Sequence, residues 1–140
     1  MTFILILGLL FMPSTFASSN NETLQPCPSK PNCVSSQAND EHAIKPFTLA
    51  NHSTLDESAL IAVIQSMNTK VIVTQNDHRI HAEFTSRLFG FIDDVDLVLD
   101  TKQHVIHVRS ASRTGHYDFG VNRRRVETLR SLLKDKGLIQ

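Results

Sequence analysis

The sequence lacks both a net charge and a long apolar run, and each absence excludes a class of protein. Its 140 residues include 14 lysines and arginines and 14 aspartates and glutamates, so the formal net charge is zero. A protein-wide basic field for nucleic acid or for an anionic membrane is therefore not expected. The apolar run from Phe3 to Met12 is shorter than the ~20 residues that a membrane-spanning helix needs.

Complete motifs for catalysis and for metal binding are also missing. The chain contains no H-E-x-x-H helix and no G-x-S-x-G nucleophile elbow. Its two cysteines offer too few thiolates for a metal site, and their C-x5-C spacing differs from the C-x-x-C of thioredoxin-like redox pairs. We therefore interpret the protein as acting by binding rather than by catalysis, and we expect no cofactor and no nucleic-acid partner.

The first residues have the features of an export signal. An apolar run followed by Pro13 and a small residue at Ala17 predicts a signal peptide at residues 1–17. Export brings thiols into an oxidising compartment, so we expect a disulfide between Cys27 and Cys33 that closes a short loop. The expected location is the periplasm. Because the leader lacks a positive n-region apart from the amino terminus, the alternative is an uncleaved leader that tethers the protein weakly to the inner membrane.

Two stretches have the periodicity of amphipathic helices. Thr54 and Glu57 have the spacing of a capping box, and an apolar stripe follows them, which predicts a helix from about Leu55 to Asn68. Near the carboxyl terminus, Asn122 has the chemistry of an N-cap and precedes a second apolar stripe. The sequence therefore predicts one helix at each end of the folded part.

Alternating apolar residues predict four antiparallel strands between these helices. Turns at Asn76-Asp77, near Phe89-Gly90 and across Asp100 to Gln103 connect the strands in order. With the first of these turns, Val73 lies opposite Ile80 on one face of the sheet. The apolar sets of neighbouring strands share one face in the same way, which favours a meander.

These elements define the expected domain organisation. Residues 18–53 form a polar N-terminal segment that contains the disulfide loop, and residues 54–138 form a single α+β domain. Each helix has one apolar stripe and the sheet has one apolar face. The prediction is a two-layer sandwich, helix-β-β-β-β-helix, with both helices packed on one face of the sheet.

Three blocks of the chain resemble a known family. They are CPSKPNCVSS, IHAEFTSRLFGFIDDVDLVLD and IHVRSASRTGHYDFGVNRRRVETLR, and the resemblance as a whole covers Cys27 to about Leu133. Together they resemble the family catalogued as domain of unknown function 1499. The resemblance implies a small bacterial or organellar protein, exported or membrane-associated, and it assigns no activity and no catalytic residue.

The polar face of the predicted sheet is the first candidate site. The predicted register brings Asp94 opposite Arg109, and it brings Asp96 between Glu83 and His107. Carboxylates and imidazoles grouped in this way suit a divalent metal or an acid/base pair, so a small hydrolase is the enzyme alternative. The residues of this alternative are His81, Glu83, Asp96 and His107. The simpler interpretation is a solvated surface whose opposite charges neutralise each other across strands.

The loop from Ser112 to Val121 and the start of the second helix form the other candidate site. Unpaired N–H groups at a helix N-terminus, together with guanidinium groups and glycines, favour an anion such as a phosphate, a carboxylate or an acidic lipid headgroup. An acidic patch on an envelope protein would also fit. The residues assigned to ligand binding are Arg109, Arg113, Asn122 and Arg123. The alternative is that Arg109 or Arg113 bridges to an aspartate and fixes the loop to the sheet.

The aromatic residues are interpreted as structural. Tyr117 and Phe119 flank Asp118 and are expected to anchor their loop rather than to stack on a ligand. The phenylalanines near the second turn are expected in the core or at its rim; they are Phe84, Phe89 and Phe91. A purely structural or assembly role for the whole protein is the third interpretation beside binding and catalysis.

Overall fold

The computed structural model describes residues 22–50, 54–68 and 70–140, so the predicted signal peptide lies outside the described residues. The described chain contains an antiparallel sheet of six strands and two α-helices. In chain order the elements are β1 (Cys33–Ser35), β2 (Phe47–Thr48), α1 (Glu57–Ser66), β3 (Val71–Asn76), β4 (Arg79–Thr85), β5 (Ile92–Asp100), β6 (Val105–Ser112) and α2 (Val121–Asp135). The α+β class is therefore as predicted, with more strands than predicted.

Strands β3 to β6 form the predicted meander, and two further strands extend it. The sheet order is β1-β6-β5-β4-β3, and β2 also pairs with β6, beside β1. The alternation pattern does not predict β1 and β2, because strands of three and two residues are too short to show a period. They form where β6 offers unpaired backbone groups along its outer edge.

The hairpin registers differ from the predicted ones by two residues, while each side chain keeps its predicted face. Val73 pairs with Ala82 rather than with Ile80. A shift of two preserves the faces because side chains along a strand alternate with period two. The turn decides the register: Asp77 has a left-handed φ of 49°, so the turn residues are Asp77 and His78, one position later than predicted.

Both helices lie on the same face of the sheet, as predicted, and enclose one apolar core. Because the apolar stripes of α1 and α2 meet the inner face of β4 to β6, burial of that core supplies the main driving force for folding. The largest fully buried apolar side chains are Phe47, Leu60, Ile64, Ile106, Leu129 and Leu133. No helix among the described residues is long and apolar enough to cross a membrane.

The helix starts differ from the predicted ones. The N-cap of α1 is Asp56 rather than Thr54, since a carboxylate oxygen of Asp56 accepts the N–H of Ala59 at 3.0 Å. The N-cap of α2 is Gly120, which has a left-handed φ of 75°, so Asn122 lies inside the helix. Asn122 is free of the capping role that the sequence predicts, and its amide serves a buried network instead.

The outer face of the sheet is partly covered by the N-terminal segment. From the outer face of β4, the guanidinium of Arg79 donates to the carbonyl of Thr23, and Leu24 is buried. Cys27 and Cys33 form the predicted disulfide, which joins this segment to β1. The segment from residue 22 onward is therefore part of the folded body.

Phe47 tests the position of the core. Its side chain is fully buried, so Phe47→Ala is expected to lower the free energy of unfolding by about 3–5 kcal/mol in chemical denaturation. Phe89→Ala removes the same atoms from a side chain that is 71% exposed, and we expect a change below about 0.5 kcal/mol. Equal effects of the two substitutions would contradict this assignment of the core.

Candidate functional site

The outer face of the sheet carries an ionic cluster, which we define as His81, Glu83, Asp94, Asp96, Arg109 and Arg113. The register of β4 with β5 places His81 opposite Asp96 and Glu83 opposite Asp94. Residues directly opposite each other in an antiparallel pair share a face, so these four side chains converge. The grouping that the sequence predicts is present, although the partners within it differ.

Arg113 lies over the carboxylates of this cluster. Its Nε donates to Asp94 Oδ2 at 2.8 Å, and its Nη2 donates to Asp94 Oδ1 at 2.7 Å and to Glu83 Oε1 at 2.6 Å. The hydrogen bonds from Arg113 lower the pKa of Asp94, although partial burial acts in the opposite direction. The same contacts raise the pKa of Arg113. Arg113 thus forms the bridge to an aspartate that the structural alternative predicts.

His81 lies between two carboxylates. Its Nδ1 is 2.7 Å from Asp96 Oδ1, and its Nε2 is 3.3 Å from Asp94 Oδ1. A carboxylate at one ring nitrogen orients an imidazole and leaves the other nitrogen for a ligand. One possible metal-ligand atom comes from each of His81, Glu83 and Asp94, and these three atoms lie within 4.8 Å of one another. These three side chains could hold a divalent cation if Arg113 moved away.

His107 does not join the cluster. It pairs with Val98, whereas Asp96 pairs with Arg109 and Asp94 pairs with Ala111. The ring of His107 instead has Ser36 Oγ at 3.2 Å from Nδ1 and Asp100 Oδ2 at 3.7 Å from Nε2. Of the four residues of the enzyme alternative, the structure brings His81, Glu83 and Asp96 together, and Arg109 takes the position opposite Asp96 that the sequence predicts for His107.

Asn122 is the centre of a buried network that fixes the loop between β6 and α2. Its side chain is 0% exposed, so the amide has no access to a ligand in solution. Five groups lie at hydrogen-bonding distances of 2.7–3.0 Å from it: the Asn32 carbonyl and the side chains of Ser110, Ser112, Asp118 and Arg125. Because a buried amide must be paired, this network specifies one conformation of the loop.

The anion at the start of α2 is a carboxylate of the chain itself. Asp118 accepts the N–H of Gly120 at 2.9 Å and the N–H of Asn122 at 3.0 Å. Burial opposes the charge on Asp118, but these bonds and the one from the Asn122 side chain outweigh it and lower the pKa of Asp118. The N–H groups on which the predicted anion site depends already have an acceptor.

The four residues assigned to ligand binding do not meet at one surface. Arg109 is buried on the outer face, with Nη1 3.6 Å from Asp96 Oδ2. Arg113 lies over the ionic cluster, and Asn122 is enclosed by its network. Arg123 donates to the carbonyls of residues 41 and 43. The Asn122 amide and the guanidinium groups of Arg113 and Arg123 are hydrogen-bonded within the protein, and Arg109 is buried beside Asp96.

Most of the exposed large apolar side chains lie at one end of the sheet, on and beside two loops. The loop between β4 and β5, the loop before α2 and the first residue of α2 contribute six of them, between 38% and 81% exposed: Leu88, Phe89, Phe91, Tyr117, Phe119 and Val121. Tyr117 and Phe119 do not anchor their loop as expected, since their side chains are 60% and 76% exposed, and Phe89 and Phe91 lie outside the core. Of the phenylalanines named from the sequence, Phe84 alone is buried. No periodic signal marks loop residues, so alternation could not have found this surface.

The two loops enclose a cleft of about 430 Å³, which we call the aromatic cleft. Phe89 stacks on Phe91 with ring centroids 5.6 Å apart, and Tyr117 meets Phe119 edge to face at 5.0 Å. These four rings line the cleft together with Val121. A cleft of about 440 Å³ beside α2 has a charged lining instead, from Lys45, Glu127, Arg130 and Lys134.

Charge is distributed unevenly around the aromatic cleft. At its floor, the carboxylate of Asp93 accepts from Arg125, so this acid is neutralised. Arg87, His116 and Arg124 are exposed beside the loops, and none forms an ion pair within the part of the chain that the structure describes. Arg124 reaches the loop, because its Nη1 donates to the carbonyl of Phe119 at 2.6 Å. Arg87 and Arg124 therefore bring positive charge to the rim, opposite in sign to Asp118, which also lines the cleft.

The lowered carboxyl pKa values predict how stability depends on pH. Asp94 and Asp118 have pKa values below the ~3.9 of an unfolded aspartate, so the unfolded chain binds more protons in acid. Their stabilisation is complete above about pH 5 and is lost as the pH falls through the lowered folded values. Denaturation measured across this range should show a weaker pH dependence for Asp94→Asn and for Asp118→Asn. Unchanged profiles for both variants would contradict the assignment.

The chain matches one family across most of its length. A family model described as "Protein of unknown function (DUF1499)" matches residues 23–133, which include the ionic cluster and the aromatic cleft. No curated protein and no solved structure matches the chain. The matched residues also contain the three sequence blocks that carry the resemblance, and the chain belongs to the DUF1499 family of proteins of unknown function.

Proposed function

We propose that the protein is a non-enzymatic binding module whose aromatic cleft takes an acidic amphiphile, a molecule with an apolar chain and an anionic group. The observation that carries this proposal is the position of unpaired cations beside a cleft lined by exposed aromatic rings. Soluble proteins rarely leave such a patch in water unless it binds something. The proposal keeps the predicted preference for an anion and moves the site from the start of α2 to the cleft.

The apolar part of the ligand would lie between the rings. A volume of about 430 Å³ is within the range of small-molecule sites, which is about 300–1,000 Å³. Phe89, Phe91 and Tyr117 remain largely in water in the free protein, so a hydrocarbon chain in the cleft would remove apolar surface on both sides. Each Å² of that surface contributes about 25 cal/mol to binding.

The anionic group would lie at the rim. Arg87 and Arg124 supply permanent positive charge there, and neither has to leave a carboxylate in order to bind. Two carboxylates line the cleft: Asp93 is neutralised by Arg125, and Asp118 is directed to the N–H groups at the start of α2. The two halves of the site therefore favour the two ends of one molecule.

Arg113 and Asn122 have positioning roles in this proposal. Arg113 fixes the start of the loop through Asp94, and its own N–H donates to the carbonyl of Ile92 at 3.0 Å. Asn122 fixes the end of the loop through Asp118. We also propose that the protein works outside the cytoplasm, in the periplasm, which is in keeping with the predicted leader and with the disulfide.

Tyr117 reports on the cleft directly, because the chain has one tyrosine and no tryptophan. Titration with myristate below its aggregation concentration should change the tyrosine fluorescence, and methyl myristate, which lacks the charge, should bind several-fold more weakly. Phe91→Ser should weaken myristate binding at least about tenfold. Ile72→Ser is the matched control: Ile72 is 64% exposed but lies on β3 and does not line the cleft. Equal affinity for acid and ester would remove the role of the cations, and unchanged fluorescence would reject the site.

A metal-dependent or acid/base hydrolase at the ionic cluster is the second candidate. The observation in its favour is that ligand atoms of His81, Glu83 and Asp94 lie within 4.8 Å of one another. An imidazole with carboxylates suits several divalent metals. Arg113 opposes this function, because its guanidinium already holds both carboxylates.

Elemental analysis separates the two candidates. If Arg113 excludes metal, protein purified without chelators should contain less than one equivalent of divalent metal, and Arg113→Ala should bind Zn²⁺ or Mn²⁺ more tightly than the unmodified chain. His81→Ala in addition should abolish this gain. Stoichiometric metal in the unmodified chain that is lost in His81→Ala would favour the hydrolase.

A further inference from the structure

We infer that the two loops of the aromatic cleft dock the protein on an anionic lipid bilayer, with Leu88, Phe89 and Phe119 entering the membrane interface. The inference rests on the proposed function because it uses the same end of the molecule. It adds the source of the amphiphile, which is a membrane rather than a monomer in solution.

The first observation is the concentration of exposed apolar side chains. Seven large apolar residues are exposed in the described chain; five of them lie on these two loops, and Val121 follows directly as the first residue of α2. The exception is Ile72 on β3. Since the rest of the described chain buries such side chains, the exposed surface is a property of the loops. Aromatic and aliphatic side chains on adjacent loop tips suit the boundary between headgroups and acyl chains.

The second observation distinguishes a bilayer from a single bound chain. Leu88 is 81% exposed and does not line the aromatic cleft. A monomeric amphiphile inside the cleft would leave Leu88 in water. A bilayer surrounds both loop tips at once and buries Leu88 together with Phe89 and Phe119. The position of Leu88 therefore has a physical reason on a membrane that it lacks with a small ligand.

The cations near the loop tips favour a lipid with a negatively charged headgroup. Arg87 precedes Leu88 in one loop, and His116 precedes Tyr117 in the other, while Arg124 contacts the second loop. Of the nearby acids, Asp93 and Asp94 are neutralised by Arg125 and Arg113, while Asp118 accepts from N–H groups at the start of α2. Each free arginine at an anionic surface raises partitioning about fivefold.

The zero net charge of the chain does not oppose this docking. Fields in physiological salt decay over about 8 Å, so a membrane senses the charges of the loop tips rather than the sum over the molecule. The absence of a protein-wide basic field argues against binding through a broad basic face. It is compatible with a small apolar contact that is surrounded by a few cations. In such a contact, burial of apolar side chains among the lipid chains provides most of the affinity.

Vesicle sedimentation tests the inference. Removal of residues 1–17 keeps the leader from binding lipid, and the disulfide and the core lie within residues 22–140. This chain should bind vesicles of phosphatidylcholine with one part in three of phosphatidylglycerol, and pure phosphatidylcholine at least about tenfold more weakly. Leu88→Ser should weaken vesicle binding about tenfold and Arg87→Gln about fivefold. Ile72→Ser removes an exposed apolar side chain of the same size from β3, and it should have no effect on vesicle binding.

The variants separate docking from cleft binding. Leu88→Ser should leave the myristate titration unchanged, because Leu88 does not line the cleft. Vesicle binding equal to that of the unmodified chain in Leu88→Ser would overturn the docking inference. Myristate binding without vesicle binding would also overturn it and would leave the proposed function standing. Vesicle binding that survives Phe91→Ser while myristate binding is lost would support docking through the loop tips.

Discussion

The buried amide of Asn122 is the interaction on which the functional end of the molecule depends. It joins four separate parts of the chain: the disulfide segment through Asn32, strand β6 through Ser110 and Ser112, the loop through Asp118, and helix α2, to which it belongs. An unpaired amide in this position would lose several hydrogen bonds without compensation from water. All four parts must therefore be in place together, and the loop that carries Tyr117 and Phe119 takes its shape from them.

Two arginines pair with acidic side chains, one on each face of the sheet. On the outer face, Arg113 pairs with Asp94 and Glu83 and prevents the carboxylates from presenting a negative surface. On the inner side, Arg125 pairs with Asp93 beneath the aromatic cleft. Beside the aromatic cleft, Arg87 and Arg124 form no ion pair with any acid that the structure describes. The balance of charge in the composition thus conceals a local excess at one end of the fold.

The sequence predicts some levels of this structure and not others, for physical reasons. Alternation with period two predicts the face of each strand residue correctly, as for Val73 and Ile80. It cannot distinguish registers that differ by two residues, because the choice between them depends on turn geometry. The helical stripes are found, whereas the caps are not. Asn122 has the chemistry of a cap, and only tertiary structure shows that its amide is buried.

The candidate sites show the same division. Grouping of His81, Glu83 and Asp96 follows from strand alternation and is found in the structure. The contact of Arg113 with Asp94 could be anticipated as one of several bridges, because both residues lie on neighbouring elements. Exposure of Phe89 and Phe119 could not be predicted, since an aromatic residue in a loop has the same composition whether it anchors the loop or faces water.

The side-by-side pairing of β1 and β2 on β6 also limits how copies of the protein can associate. These short strands occupy β6 at residues 105–106 and 109–111, so that side of the sheet has little free backbone for another strand. Among the described strands, β1, β2 and β3 each pair with one neighbour, and β3 is the longest of these edges, with six residues against three and two. Strand addition from another molecule is thus directed to β3. Because the described part of each copy offers one edge strand of this length, pairing through β3 closes at two molecules and does not propagate into a fibre.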